Sequence, residues 1–518
     1  MSDRGTRMER RDFLRHGVFA VGGTAAMISG FSPPVLANNH PHPHKGSLDY
    51  LDPATYTKTV TVHGHFHPRS VPGSKMQMMA RGRRRYIFTA GQVWEVTEAN
   101  KPVLINDGGF IGGQLQLAYN RNLGKWILVT GAAPPPTSSR PEAPNGKYDD
   151  PRLIDNARYA AGLRGVRVYD ATDPENIVLL SEWSCDQGDP SRAVQTGGGT
   201  HRNYYDGGKY AYLDAAPDNS FLHMESPVRA YTNCLQVIDL EDPAKPRFVS
   251  NWWFPGQRAG EERAYRKWRE FRDHSSFTSA HGGFYVPVRV ENGGRYCYSS
   301  YGAFGITVHD VSDPAHPKLV ARWRPPYLPG AIPFHTCDVS WLDRGFVIGS
   351  SETLNPDCNE PFHANYVLDM SDLGKPRPIA KFGRWAPPEG APYETFCEAR
   401  GRFGTHNPPH LKAPGRRHAT FIGYAAFNAG FQFMNFTDPT KPAMDGYFIP
   451  PSGGALDRPG SYHRKGDSIF VEWDRKLIWL GSDSGFYLAS HPSLGAPDFA
   501  PRPVTEWSLA GLNAGHDG

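Results

Sequence analysis

The sequence has little excess charge of either sign and few cysteines, and each shortage excludes a class of protein. The 56 Lys and Arg residues against 52 Asp and Glu leave a formal net charge of only +4 over 518 residues, which is too little for a nucleic-acid-binding surface. None of the six cysteines forms a CxxC pair, so a structural zinc finger is excluded. GxSxG, HExxH and P-loop motifs are also absent, which removes the commonest hydrolase and nucleotide-binding signatures.

Beyond the N-terminus the sequence has no long apolar run. The N-terminus itself has the features of an export signal. No later stretch approaches the ~20 apolar residues of a membrane span, so we expect no membrane span. The segment ERRDFLR at 9–15 resembles a twin-arginine signal, and an apolar run and the small residues before position 38 follow it. We therefore predict a signal peptide over 1–37, the twin-arginine export machinery as a partner, and a periplasmic or secreted location. Residues 38–60 are expected to form a flexible leader, and 61–518 a single domain.

A strand–turn–strand unit recurs along the chain. VIDLEDPAKPRFV at 237–249 has counterparts that start at 168, 308, 367 and 433, and more divergent copies start at 93 and 487. In each clear copy an alternating apolar run ends at a turn, mostly Asp-Pro, and Gly-rich hairpins upstream supply further strands. Seven such units predict an all-β chain that forms a seven-bladed β-propeller of four-stranded blades with long inter-strand loops. We interpret the turn aspartates as turn formers rather than catalytic groups: Asp173, Asp242, Asp313 and Asp438.

This repeat resembles that of the LVIVD-repeat family of extracytoplasmic β-propeller proteins. The resemblance rests on VIDLEDPAKPRFV, ITVHDVSDPAHPKLV and their copies, and it covers roughly residues 76–490. It implies a propeller outside the cytoplasm. It implies no single chemistry, because the family is defined by its repeat and a fold does not determine a function.

Four histidines occupy one position of the repeat, 32 to 41 residues before a turn aspartate: His201, His281, His335 and His406. In a propeller, a shared repeat position means a shared height on the central axis, so we expect the four rings to meet. Crowded neutral imidazoles favour a divalent transition metal as their common partner, such as iron, copper, zinc or nickel. Blades without a histidine would leave one side open for substrate or dioxygen. A metal-free ligand site and purely structural histidines remain open alternatives.

Further residues are candidates for supporting roles. Carboxylates often orient ligand imidazoles through the far ring nitrogen. We predict supporting roles of this kind, in the second sphere of the metal, for Glu352, Glu394, Glu398, Glu472 and His463. An oxidising compartment permits disulfides, and Cys337 with Cys358 is the preferred pair because both flank strands of one repeat.

The predicted centre resembles in its geometry that of carotenoid-cleaving oxygenases, which hold non-haem iron on a propeller axis. Copper propellers that oxidise small thiols offer a second resemblance. Both favour Fe(II) or Cu, with Zn possible, and imply a metal-dependent oxidoreductase (an oxygenase or oxidase) that acts on a small organic substrate. The alternatives are a non-catalytic ligand- or protein-binding propeller and a metal-dependent hydrolase or lactonase, since zinc in an open histidine site activates water.

Overall fold

The computed structural model describes residues 54–66, 75–133, 161–221, 233–261, 263–264, 279–326, 332–353, 358, 361–399, 401–451 and 465–508. These residues form strands joined by turns and short 3₁₀ helices. The strands are β1 Tyr56–Lys58, β2 Thr61–Phe66, β3 Gln77–Arg81, β4 Arg84–Thr89, β5 Gln92–Glu95, β6 Val103–Asp107, β7 Gly113–Asn120, β8 Lys125–Ala132, β9 Gly165–Asp170, β10 Val178–Ser184, β11 Gly199–Thr200, β12 Tyr210–Ala216, β13 Cys234–Asp239, β14 Arg247–Trp252, β15 Tyr296–Ser300, β16 Ile306–Asp310, β17 Lys318–Trp323, β18 Ile332–Asp338, β19 Phe346–Glu352, β20 Asn365–Asp369, β21 Arg377–Phe382, β22 Phe403–Asn407, β23 Phe421–Phe427, β24 Phe431–Asn435, β25 Ala443–Ile449, β26 Ser468–Glu472, β27 Leu477–Ser482 and β28 Gly485–Ser490. The 3₁₀ helices are Asn219–Phe221, Val290–Asn292, Gly302–Phe304, Leu342–Arg344 and Pro492–Leu494.

The strands pair in chain order into seven antiparallel blades. Blades 1 to 3 are β3–β6, β7–β10 and β11–β14, and blade 4 is β15–β17 with an inner bridge between Tyr285 and Tyr298. Blades 5 to 7 are β18–β21, β22–β25 and β26–β28. First strands such as β22 and β26 are wholly buried, whereas last strands such as β17 and β21 are largely exposed. The first strands therefore surround the axis, and the predicted seven-bladed β-propeller is confirmed.

Strand β2, from the N-terminal part of the chain, closes the ring. It pairs with β28 from Thr61↔Ser490 to Phe66↔Phe486 and so becomes the outer strand of blade 7. Strand β1 adds a fifth strand to blade 6 through β25. Strand β1 lies inside 38–60, the segment predicted to be a leader. The predicted signal peptide and residues 38–53 lie outside the described residues.

The repeated aspartates form the predicted turns. The Oδ1 atom of each accepts a hydrogen bond from the backbone N–H two residues later, at distances of 3.1, 3.0, 3.1 and 2.9 Å for Asp173, Asp242, Asp313 and Asp438. This is the Asx turn that favours Asp at the start of such loops. These carboxylates are therefore occupied by their own backbone on the surface, as expected of turn formers.

The disulfide joins Cys358 to Cys397, so the expected pairing of Cys358 with Cys337 was wrong. Cys337 lies on the inner strand β18 and is a fully buried free thiol packed among apolar side chains. Its place in the core between blades keeps it from the loop that carries Cys358.

Replacing Cys358 with serine is expected to lower the free energy of unfolding by about 2–4 kcal/mol, because the bridge restricts the unfolded chain. The bridge spans 39 residues. Chemical denaturation with and without reductant measures this loss. Reductant should destabilise the wild type by the same amount and leave Cys358→Ser unchanged. A wild type indifferent to reductant contradicts the assignment.

Candidate metal centre

The four histidines of the repeat lie together where the inner elements of blades 3 to 6 meet the axis. Their ring centroids are 4.6 Å apart between His201 and His281, and 5.0 Å between His281 and His335. The rings of His335 and His406 are 5.1 Å apart. All four side chains are buried. One repeat position thus gathers residues from four blades at one place.

Glu352, at the end of β19, enters this ring of histidines with its carboxylate. Its Oε2 lies 3.2 Å from Nε2 of His281 and 3.3 Å from Nε2 of His335, and its Oε1 lies 3.8 Å from Nε2 of His406. One donor atom from each of His281, His335 and Glu352 lies within 4.8 Å of the others. Bonds of about 2.0–2.2 Å to one ion place neighbouring ligand atoms about 3.0–3.5 Å apart. The spacing of these three groups therefore fits a transition-metal ion.

Glu352 was expected in the second sphere, where a carboxylate would contact a far ring nitrogen. Its oxygens instead face the same Nε2 atoms that converge on the centre. Arg402 fixes the orientation of this carboxylate by donating a hydrogen bond of 2.7 Å from Nη1 to Oε1. Glu352 is thus one of the three groups that could hold an ion, and Arg402 supports its carboxylate.

The far nitrogens have other partners, which the sequence did not single out. Thr336 Oγ1 lies 2.8 Å from Nδ1 of His335, and Asn407 Nδ2 lies 2.9 Å from Nδ1 of His406. Asp467 Oδ1 lies 3.4 Å from the same Nδ1 of His406. When Thr336 accepts the Nδ1–H of His335, the lone pair of Nε2 is left for an ion. Thr336 and Asn407 directly follow a histidine of the cluster in sequence. This adjacency is the one sequence signal that could have revealed them.

Burial sets the protonation state of the cluster. Removal from water lowers the pKa of all four imidazoles, and the neighbouring His281 and Arg202 lower the pKa of His201 further. Burial alone would raise the pKa of Glu352, but His335, His281 and Arg402 hold it well below its usual value. Neutral imidazoles beside an ionised carboxylate are the state that metal binding requires.

The other proposed second-sphere groups lie elsewhere. Glu472 is buried at the end of β26, where Arg85, Arg475 and Trp479 use both its oxygens. The amide of Glu394 donates to the carboxylate of Glu398, and Glu394 is exposed in the loop near the disulfide. The structure thus places Glu472 in the contact between blades 7 and 1, and Glu394 and Glu398 in a loop. His463 lies outside the described residues.

A small cavity of about 40 Å³ adjoins the cluster, with room for about three water molecules. Arg202, Thr336 and Asn407, which follow three of the four histidines, lie in its wall. Lys75 and Tyr285 lie there too. Burial and the nearby Arg202 lower the pKa of Lys75 to about 7, and burial raises the pKa of Tyr285 to about 12. The wall of this cavity thus carries two basic side chains, Arg202 and Lys75.

The fold and the cluster define the class of this protein as a seven-bladed β-propeller with buried histidines and a glutamate on its axis. No protein-family model and no curated protein matches the chain. Among solved structures it is similar to the crystal structure of Chaetomium thermophilum Raptor, with a TM-score of 0.43 and 11% identity over 84% of this chain and 30% of that chain. Such a similarity supports no conclusion about function. The relation to the LVIVD-repeat family remains a prediction.

None of the helices among the described residues has the length and apolar character to cross a membrane.

Proposed function

We propose that this protein binds a transition-metal ion through His281, His335 and Glu352, with His406 and His201 as further ligands. The observation that carries the proposal is the convergence of three donor atoms within 4.8 Å in a buried site. An ion would accept the lone pairs of the two imidazoles, whose Nε2 atoms both lie beside the carboxylate of Glu352.

We further propose that the metal is iron and that the protein is an oxidoreductase acting on a small organic substrate. Two imidazoles and one carboxylate with open positions are the ligands of non-haem Fe(II) oxygenases. When bound, iron supplies electron-transfer chemistry that the side chains lack. Arg402 holds the carboxylate of Glu352, and Thr336 holds the ring of His335.

A zinc-dependent hydrolase is the second candidate, and the same donors favour it. Two histidines and one glutamate also hold catalytic zinc, which leaves a fourth position for an activated water. A site that includes Glu352 suits copper less well than a site of four histidines would, because carboxylate oxygen is a harder ligand than imidazole nitrogen. The metal therefore decides between oxidation and hydrolysis.

Export by the twin-arginine machinery to the periplasm or beyond is part of the proposal. The bridge between Cys358 and Cys397 supports it, since stable disulfides form mainly in oxidising compartments. The twin-arginine segment at 9–15 supplies the route.

Elemental analysis of the purified protein is the test. We expect about one equivalent of iron per chain, and metal-free protein should regain it in competition with zinc. Tightly held zinc that iron cannot replace favours the hydrolase. Less than a few tenths of an equivalent of any transition metal, before and after reconstitution, overturns the proposal.

A further inference from the structure

The hydroxyl of Tyr285 has no hydrogen-bond partner in the described part of the chain. Tyr285 lies on the inner edge of blade 4, is 8% exposed and lines the axial cavity. Arg202 and Asp338, also in the wall, act on its phenol through their charges and not through a hydrogen bond. The Oδ1 of Asp338 accepts from the amide of Ser340 at 2.9 Å, and its Oδ2 accepts from Nε1 of Trp341 at 3.3 Å. A buried hydroxyl that stays unpaired costs free energy, so this position suits an acceptor atom of a bound molecule.

The orientation of this hydroxyl is fixed by the contacts of its ring and backbone. The ring of Tyr285 meets that of Tyr204 edge to face, with centroids 5.5 Å apart, and its backbone is bridged to Tyr298. Burial raises the pKa of Tyr285 to about 12, so the O–H stays protonated near neutral pH and donates a hydrogen bond. Thr336 and Asn407, in the same wall, are engaged with rings of the histidine cluster. Tyr285 therefore offers the cavity a donor that is already oriented.

The wall of the cavity has a polar and an apolar side. Blades 3 to 5 supply mainly polar residues, and blades 1, 6 and 7 supply, besides Lys75, Asn407 and His410, an apolar group: Met76, Pro408, Pro409, Leu411 and Ile469. An ordered water needs two to four polar partners, whereas ligand pockets combine apolar walls with a few placed polar groups. Asp214 acts on both Arg202 and Lys75, so the positive charge of the wall has a counterpart within the protein. The cavity therefore matches a neutral molecule with an apolar body and one oxygen.

We propose that the cavity binds a small neutral organic molecule, such as a ketone, whose oxygen accepts a hydrogen bond from Tyr285 and whose hydrocarbon part packs against the apolar side. The cavity of about 40 Å³ admits a molecule of about the size of acetone. Thr336 and Asn407 each follow a histidine of the cluster and line the cavity, so the bound molecule lies beside the proposed metal. The assignment names the substrate class of the proposed oxidoreductase, and it rests on that function only for the role of the bound molecule as substrate.

Saturation-transfer NMR titration with acetone tests this assignment, with 2-methylpropene and acetate as probes of the same shape. The wild type should bind acetone saturably, with a Kd no tighter than roughly tens of micromolar, because so small a molecule makes few contacts. Tyr285→Phe keeps the ring and should weaken acetone binding roughly 3- to 10-fold, as expected for one hydrogen bond. The same variant should bind 2-methylpropene at least as tightly as the wild type does, since that molecule has no acceptor. Acetate should bind more weakly than acetone to protein treated with a chelator, because its charge must leave water.

Tyr296→Phe is the matched control, because it removes a hydroxyl from a partly buried tyrosine of the same blade that does not line the cavity. It should bind acetone like the wild type. Three results each overturn the assignment: no saturable binding of acetone, full acetone affinity in Tyr285→Phe, or tighter binding of acetate than of acetone after chelation. The two proposals fail separately. Acetone binding that depends on Tyr285 in a protein that takes up no metal supports the ligand site and contradicts the metal function, whereas a metal-loaded protein that does not bind acetone keeps the metal and contradicts the ligand site.

Discussion

Replacing His281 and His335 together with alanine is expected to abolish metal binding. These residues supply two of the three donor atoms that converge within 4.8 Å, and Glu352 would remain with Arg402 at 2.7 Å and His406 at 3.8 Å. Loss of an outer-shell group alone costs 10–100-fold in metal affinity, so removal of two direct ligands should cost well over 100-fold. Elemental analysis and the metal-induced rise in unfolding temperature measure the effect.

The exposed His316 gives a control, because His316→Ala removes an imidazole from a surface turn. It should leave the metal content unchanged. His201→Ala should have a smaller effect than His335→Ala, since His201 stands outside the group of three closest donors. A double variant that keeps its full complement of metal would place the ion elsewhere and contradict the site.

Replacing Glu472 with alanine is expected to lower the free energy of unfolding by about 3–5 kcal/mol, because it leaves buried cations with one counter-ion fewer. Glu472 and Arg85 are fully buried and 2.6 Å apart, and they join blade 7 to blade 1. Arg475 also pairs with Glu472, at 2.7 Å. Chemical denaturation with the two-state test of coincident probes measures the loss.

The stabilisation that Glu472 provides depends on pH in a defined direction. Burial opposes ionisation of Glu472, but Arg475 and Arg85 outweigh it and hold its pKa below the ordinary 4.5. The stabilisation is therefore complete above the pKa of the unfolded chain and is lost as pH falls through the lower folded value. Glu98→Ala, at an exposed pair with Lys101, should cost less than about 1 kcal/mol. A loss at Glu472 no larger than that would contradict its proposed role in joining the blades.

Most of what could be predicted from the sequence came from its repeated unit. The turn aspartates and the four histidines were placed correctly because a repeated unit puts equivalent positions at equivalent points of a propeller. The four histidines span 205 residues of chain from His201 to His406, and each ring lies beside the next because blades 3 to 6 are consecutive.

What the sequence could not predict depends on contacts between different strands of the ring. Glu352 reaches the centre from a second strand rather than from the repeated position of the histidines, so no repeat pattern marks it. In the sequence Glu472 was as good a candidate as Glu352. Its carboxylate instead accepts a hydrogen bond from Arg85, which lies 387 residues away in the chain. The partner of Cys358 was likewise undetermined, since sequence alone does not fix disulfide connectivity.

The closure of the ring by β2 determines the order in which this protein can be completed. The Nε2 atom of His63 on β2 lies 2.7 Å from Oγ of Ser490, a contact between residues 427 positions apart. During synthesis β2 has no partner strand until nearly the whole chain has emerged, and contacts so distant in sequence form slowly. Blades 3 to 6, which hold the histidines, are already present by then. The proposed metal ligands can therefore assemble in an open arc, and we expect the last step of folding to be the capture of the early strand β2 by the final blade.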